Sequence, residues 1–424
     1  MIKKLILLSL LLGACTRSAS EDPLVLIQIQ DRNGVSETIS IPERLEAFNG
    51  VDFLTTQPYK KILRVYKKEG KNHSVITTYH PNGLVWQYLE AQDMRAFGRY
   101  QEWFSNGHLK IEAHVIGGTA DVAFGSQSDW LFDGISQVWD EQGCLIAEIP
   151  YTNGSLEGVS IHYYPSGQIQ DTIPYQHNLI EGDAFEYFPD GKMKGKTSYR
   201  KGIKQGLATG YWDNESPSRM EDFTDGRLNS GSYFTLTGER VSSVENGFGH
   251  QTVFEGPALY QQIEIRNGKQ EGKVKVYAPN GELRTTFQIK NGKKQGEEIE
   301  YYAPFELENP SQSPSPKISL YWDDNALHGL VKTWYSNGLL ESQKELVRNK
   351  KTGSSCGWYR DGNLMLIEEY EEDHLVKGQY YKKGQKEPVS SVLNGNGVAT
   401  LYDSQGIILR KAIYYKGKPL DPED

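Results

Sequence analysis

The sequence predicts an all-β chain: an elongated, single-layer twisted array of about fourteen antiparallel β-hairpins of ~24 residues, preceded by a small N-terminal cap. Three observations lead there. A segment from Gly158, "GVSIHYYPSGQIQDTIPYQHNLI", recurs in altered form from Gly182, Gly272 and Gly329. Counting the first residue of each unit as position 0, units start at Ser74, Gly98, Gly134, Gly158, Gly182, Gly206, Gly231, Gly249, Gly272, Gly296, Gly329, Gly353, Gly378 and Gly397. Position 5 is then aromatic in twelve of the fourteen, against 11% aromatic residues overall. Third, 43 glycines, 18 prolines and a Tyr count (26) above Phe (14) and Trp (8) suit short strands and tight turns.

The chain opens with Lys3-Lys4, the apolar run Leu5 to Leu12, and Gly13-Ala14-Cys15, which reads as a secretory leader over 1–15. Leu12-Gly13-Ala14-Cys15 resembles the bacterial lipobox, whose cysteine is diacylated and becomes the first residue. That resemblance implies a lipid on Cys15, and Thr16 in place of Asp implies sorting to the outer membrane. Acylation on more than one chain makes such anchoring stable. Residues 16–73 are expected to form the cap or a small domain, with a strand at Leu24 to Gln30, a turn at Asn33-Gly34 and a helical turn at Glu43 to Phe48.

Within each unit the turn chemistry sets the register. Positions 7 to 9 read Pro81-Asn82-Gly83, Pro165-Ser166-Gly167, Pro189-Asp190-Gly191 and Pro279-Asn280-Gly281. Proline presets φ, Asn or Asp tolerates the second place, and glycine takes the left-handed one. A three-residue loop places position 5 opposite position 11, where Leu109, Leu145, Ile169, Met193, Leu283, Leu340 and Leu364 stand. A second turn, such as Asn153-Gly154, Lys201-Gly202, Asp225-Gly226 or Asn291-Gly292, closes each unit. One hairpin is marginal in water, so neighbours must bury its ring.

The array divides into repeats over 74–157, a first block over 158–272 and a second over 273–418, followed by an acidic tail, 419–424. The blocks share their order of unit spacings, except for nine extra residues in the second. They also share Val241-Ser242-Ser243-Val244 with Asn246-Gly247, and Val389-Ser390-Ser391-Val392 with Asn394-Gly395. The insertion, 305–316, contains "NPSQSPSP" and is expected to be a disordered loop at the turn end; another lies near Ile116 to Gln127.

These residues resemble the bacterial variant of the MORN repeat: glycine, an aromatic pair, Asn/Asp-Gly, an aliphatic residue, then Asn-Gly-Lys. The match is close over Gly158–Tyr175, Gly182–Tyr199, Gly272–Lys293 and Gly329–Leu346, and extends loosely over 74–418. The resemblance implies a β-array used for binding. Proteins of this type often carry an antitoxin label, and eukaryotic relatives are linked to phosphoinositide membranes. Glu215 in a glycine place and the two short units depart from the pattern, so a bend or break is expected there.

Charge limits the partners. With 46 basic and 55 acidic residues the net charge is −9, or −11 once Lys3 and Lys4 leave with the leader. That disfavours nucleic acid, which requires phosphate neutralisation. Cys144 and Cys356 are expected to be free thiols, and no Cys/His spacing suggests a metal. Gly353-Ser354-Ser355-Cys356-Gly357 matches a nucleophile-elbow string but begins a repeat strand, and "GKMKGKT" at Gly191 to Thr197 misses the phosphate loop by one residue. No cofactor or catalytic set is expected.

Two surfaces remain. Position 6 carries Phe104, Tyr164, Phe188, Trp212, Tyr302, Tyr335 and Tyr359, which alternation turns away from position 5. They form either an aromatic stripe for glycan or protein, or a second packed face. Lys201, Lys204, Arg266, Lys269, Lys293, Lys294, Arg348, Lys350, Lys351, Lys416 and Lys418 gather at the closing turns. They offer either a basic rim for anionic headgroups or polysaccharide, or turn charge balanced by acidic neighbours. The leading expectation is a non-enzymatic, lipid-anchored scaffold of a bacterial envelope, with an envelope protein or polysaccharide as partner. The alternatives are an antitoxin or immunity-type protein, and an envelope hydrolase with its site in the cap or insertions.

Overall fold

The computed structural model describes residues 23–68 and 70–420. Cys15 lies outside them, as do Asp421 to Asp424 of the tail. The chain divides into two compact units, Met1–Glu181 with Pro189–Gly191, and Gly182–Phe188 with Lys192–Asp424. Each is an antiparallel array of hairpins, as a MORN-like repeat requires.

In the first unit, β1 (Leu24–Gln30) and β2 (Ser36–Ile39) form a hairpin, and β1 pairs on its other side with β3 (Lys61–Lys68). β3 pairs in turn with β4 (Lys71–Tyr79), the first repeat strand, so the region expected as a cap extends the array directly. Between β2 and β3 lies one helical turn, α1 (Pro42–Leu45), followed by a 3-10 turn at Glu46–Phe48. Ile27, Ile39, Leu45, Phe53, Ile62, Tyr79 and Val85 bury one another there. β5 (Val85–Gln92), β6 (Arg95–Trp103) and β7 (Leu109–Gly117) continue the array.

Hairpin register follows the turn chemistry. Tyr79 lies opposite Val85, Trp103 opposite Leu109, and Tyr163 opposite Ile169. In the second unit Tyr187 faces Met193, Tyr277 faces Leu283, and Trp358 faces Leu364. The loop after Tyr164 closes by Tyr164 N–H to Gln168 C=O at 2.8 Å, with Gly167 at φ +83°. One feature was not foreseen: position 12 is skipped in the ladder, so the second strand of each hairpin carries a bulge. A bulge re-aims the side chain it holds.

The expected break at Glu215 is absent. Trp212 N–H still reaches Ser216 C=O at 2.9 Å, because Glu215 adopts φ +65° in the glycine place. Left-handed backbone costs a non-glycine residue about 1 kcal/mol. Glu215→Gly is therefore expected to stabilise the protein by about 1 kcal/mol, read as a higher urea midpoint at unchanged slope.

Two units have no ring at position 5, where Leu236 and Lys383 stand. In the Gly231 hairpin the turn comes two residues early: Phe234 pairs with Arg240 and Thr235 N–H reaches Glu239 C=O. Phe234 is thus the missing ring of that hairpin; in the Gly378 hairpin the ladder ends at Tyr380 opposite Ser390, and the next residue, Tyr381, accepts from Tyr359 through its carbonyl as Phe234 does from Trp212.

The duplication recurs as contacts. Tyr233 O–H donates to Glu221 at 2.7 Å, and Tyr380 O–H to Glu368 at 2.9 Å. Lys204 lies over Phe223 and Lys351 over Tyr370. Trp212 meets Phe254 edge-on at 5.0 Å, as Tyr359 meets Tyr402 at 6.4 Å. The cores match too: Phe223, Leu228, Tyr233 and Val244 in one, Tyr370, Leu375, Tyr380 and Val392 in the other.

The insertion corrects an expectation. It sits at the predicted turn end, with Tyr301 paired to Pro316, but it is built from 3-10 turns at Pro304–Glu306 and Pro310–Gln312. Proline at the first position of each turn presets the helical φ. Leu307 is buried, Glu308 N–H reaches Ser336 C=O at 3.2 Å, and the Glu308 carboxylate holds Arg360.

Candidate functional site

The position-6 rings are covered rather than displayed. Trp212, Tyr335 and Tyr359 are 9%, 6% and 0% exposed, and Phe104, Tyr164, Phe188 and Tyr302 are half-buried. Their polar tips bridge to a later hairpin. Tyr302 O–H donates to the Trp334 carbonyl at 2.6 Å, Tyr335 to that of Trp358 at 2.7 Å, and Tyr359 to that of Tyr381 at 2.6 Å. Trp212 Nε1–H does the same to Phe234 at 3.2 Å. The bulge residue then folds across the ring, as Lys110 does over Phe104 and Lys317 over Tyr302. An open stripe is not formed because Trp212, Tyr302, Tyr335 and Tyr359 join hairpins and Lys110 lies over Phe104.

Burial leaves these phenols neutral in the folded protein, with Tyr335 and Tyr359 pushed up to about 12 and Tyr233 and Tyr380 raised further. An unfolded tyrosine ionises near ~10. Their contribution to stability is thus complete below pH ~10 and is lost as pH rises through ~12. The urea midpoint is expected to fall between pH 9.5 and 11.5, by a smaller amount in a Tyr335→Phe, Tyr359→Phe double variant.

The basic rim is largely spent on neighbours. Lys293 pairs with Asp324 at 2.7 Å, Lys294 with Glu298 at 2.7 Å, Lys350 with Glu372 at 3.2 Å, and Arg266 with Glu264 at 2.7 Å. Lys294 also lies over Phe287 and Trp322. Cys144 and Cys356 are free thiols. Cys356 lies mid-strand in Lys350–Trp358, and Met193–Arg200 takes up most of the "GKMKGKT" string as a strand; neither has the strand–turn–helix setting its motif needs. Among the described residues no group of His, Cys, Asp and Glu is placed to hold a metal.

The candidate site lies instead in the first unit, in residues that sequence periodicity did not single out. Gln30, Lys61, Thr78 and Gln87 stand directly opposite one another on β1, β3, β4 and β5, making a polar row across four strands. It floors an open groove of about 770 Å³ walled by Tyr59, His80, Trp86, Val122 and Phe124. Trp86 occupies the bulge of its hairpin, where Lys110, Gln170, Arg284 and Lys317 stand elsewhere. It stacks on His80, the position-6 ring of that unit, at 5.5 Å, and remains 43% exposed.

The floor is held from below. Thr78 donates to Gln87 at 3.2 Å, Gln87 to the Tyr100 hydroxyl at 3.3 Å, and Tyr100 to Glu102 at 2.7 Å. Lys110 caps that chain on Glu102 at 2.7 Å. The segment near Ile116 to Gln127 forms a wall because Val122 and Trp130 anchor it in the core against Tyr100, 4.8 Å from ring to ring. Lys61 is tied to Asp121 at 2.6 Å, and Arg32 donates to the carbonyls of Pro58 and Pro81.

Comparison with known proteins adds the following. A family model described as MORN repeat variant matches residues 156–177, 180–201 and 270–291. No curated protein shows a significant match to this chain. Among solved structures, "Crystal Structure of TcdB2-TccC3-Cdc42" aligns over 88% of this chain and 23% of that one, with 11% identity and a TM-score of 0.12. "Crystal Structure of TcdB2-TccC3 without hypervariable C-terminal region" aligns over 93% and 24%, with 10% identity and a TM-score of 0.15. The chain therefore spans about a quarter of the length of those structures.

Proposed function

We propose that this protein is a non-catalytic binding scaffold, held at a bacterial envelope, at its outer membrane, by lipid on Cys15, that takes its partner in the groove of the first unit. The partner on this reading is an envelope polysaccharide or protein. The observation that carries it is an exposed tryptophan on a bulge above a polar cross-strand row, in a protein where the position-6 rings Tyr302, Tyr335 and Tyr359 join hairpins instead. The repeat match supports a scaffold, and the leader string supports export. Toxin neutralisation rests on the family label alone, and an exported acylated chain is badly placed for a cytosolic toxin.

Photocrosslinking in intact cells tests this. A photoreactive residue at Ala123 or Phe124, both exposed in the groove wall, is expected to trap a partner, and one at buried Tyr335 none. Equal yields from all three, or none from any, would refute the reading. Cys15→Ser should move the protein from membrane to soluble fractions.

A further inference from the structure

We infer that the groove binds an acidic oligosaccharide: a uronate-bearing chain with one sugar ring on Trp86 and a carboxylate against Lys60. This rests on the scaffold reading and adds the chemistry of the ligand.

Unspent polar groups make the first argument. Gln30, Tyr59, Lys60 and Trp86 all line the groove, and none of their side-chain polar groups has a hydrogen-bond partner among the described residues. The amide and the hydroxyl each both donate and accept, which matches sugar hydroxyls. Beside them a flat ring offers its face to the C–H side of a pyranose, and Tyr and Trp give such contact at low entropic cost.

Charge makes the second. The lining includes Arg32, Lys60 and Lys61 but no carboxylate, in a chain of net charge −9. Asp121 neutralises Lys61, whereas among the described residues Arg32 is held only by neutral carbonyls and Lys60 has no ion pair. The groove thus keeps an uncompensated positive field, which favours an anion.

The ladder argues against an extended peptide. Gln30 is paired to Ser36 and Lys61, Lys61 to Gln30 and Thr78, and Thr78 to Lys61 and Gln87. No free strand edge lies on the floor, so strand addition has no backbone to join.

The test titrates the purified protein with oligogalacturonate and, separately, a neutral malto-oligosaccharide of equal length, by calorimetry and tryptophan fluorescence. Oligogalacturonate is expected to bind, more weakly as salt rises, and the neutral chain at least tenfold less tightly. Trp86→Ala and Lys60→Gln should each weaken binding at least tenfold with unchanged circular dichroism. Trp86 is exposed and Lys60 has no ion pair among the described residues, so both variants should fold. Equal binding of the neutral chain, binding indifferent to both substitutions, or no binding of uronate chains overturns the inference, as does a peptide trapped at Phe124. A partner crosslinked from Phe124 without uronate binding leaves the scaffold reading standing; no crosslink and no uronate binding together remove both.

Discussion

Glu368→Ala is expected to lower the stability of the second unit by about 4 kcal/mol, among the larger effects of any single substitution. Glu368 is 9% exposed and accepts two phenol hydroxyls, from Tyr370 at 3.1 Å and from Tyr380 at 2.9 Å. Both rings are buried, Tyr380 completely. Truncation leaves the Tyr380 O–H without its acceptor, costing about 1–3 kcal/mol, takes the carboxylate from Tyr370, which has only the Tyr414 hydroxyl beside it, and opens a cavity besides. Glu368→Gln keeps one carbonyl oxygen and should cost less, about 1–2 kcal/mol. Adding Tyr380→Phe to Glu368→Ala should cost less than the two separate losses combined, because they share one hydrogen bond. Array stability is carried between neighbours. Hydrogen exchange should therefore speed over Gly353–Tyr370 while amides of β6 and β7 keep their rates. A loss below about 1 kcal/mol would mean that water replaces the carboxylate, contrary to this account.

Gly397→Ala should be nearly as damaging, at about 3 kcal/mol. Gly397 has φ +144°, and a Cβ there would lie 2.3 Å from the Ser391 carbonyl oxygen, a backbone atom that cannot swing aside. The crowding has a cause. Three closing turns abut here, with Leu375 N–H on Gly417 C=O, Gly395 N–H on Val376 C=O and Gly417 N–H on Gly395 C=O. The first block repeats it at Gly249, with φ +140° and 2.2 Å to Ser243. A control isolates backbone from sterics: Gly281 has φ +83° with open space around it, so Gly281→Ala should cost only about 1 kcal/mol. Chemical unfolding of the two variants decides the matter, and equal costs at Gly281 and Gly397 would show that packing of the turns contributes nothing.

Both effects arise where sequence reading was incomplete. Turn strings such as Pro165-Ser166-Gly167 state the register, and Tyr163 does face Ile169. They do not reveal that Tyr233 and Tyr380, at position 2, are fully buried on a carboxylate. Nor do they phase Phe234, because fixed spacing from a glycine fails where the turn comes two residues early. Tyr at position 2 of the two short units, with Glu twelve residues before each, was a signal available in the duplication.

The hairpins, their turns, the bond between positions 5 and 11 and the doubled block follow from sequence alone, because backbone φ preferences and period-two alternation act within a few residues. Which rings are covered was settled only in three dimensions. Coverage depends on a bulge residue and a distant carbonyl meeting the ring, as Lys317 and Trp334 meet Tyr302. The groove has the same origin: Gln30, Lys61, Thr78 and Phe124 come from separate stretches that share no motif. Strand pairing brings the first three into one row, and packing of Val122 and Trp130 sets the wall above it.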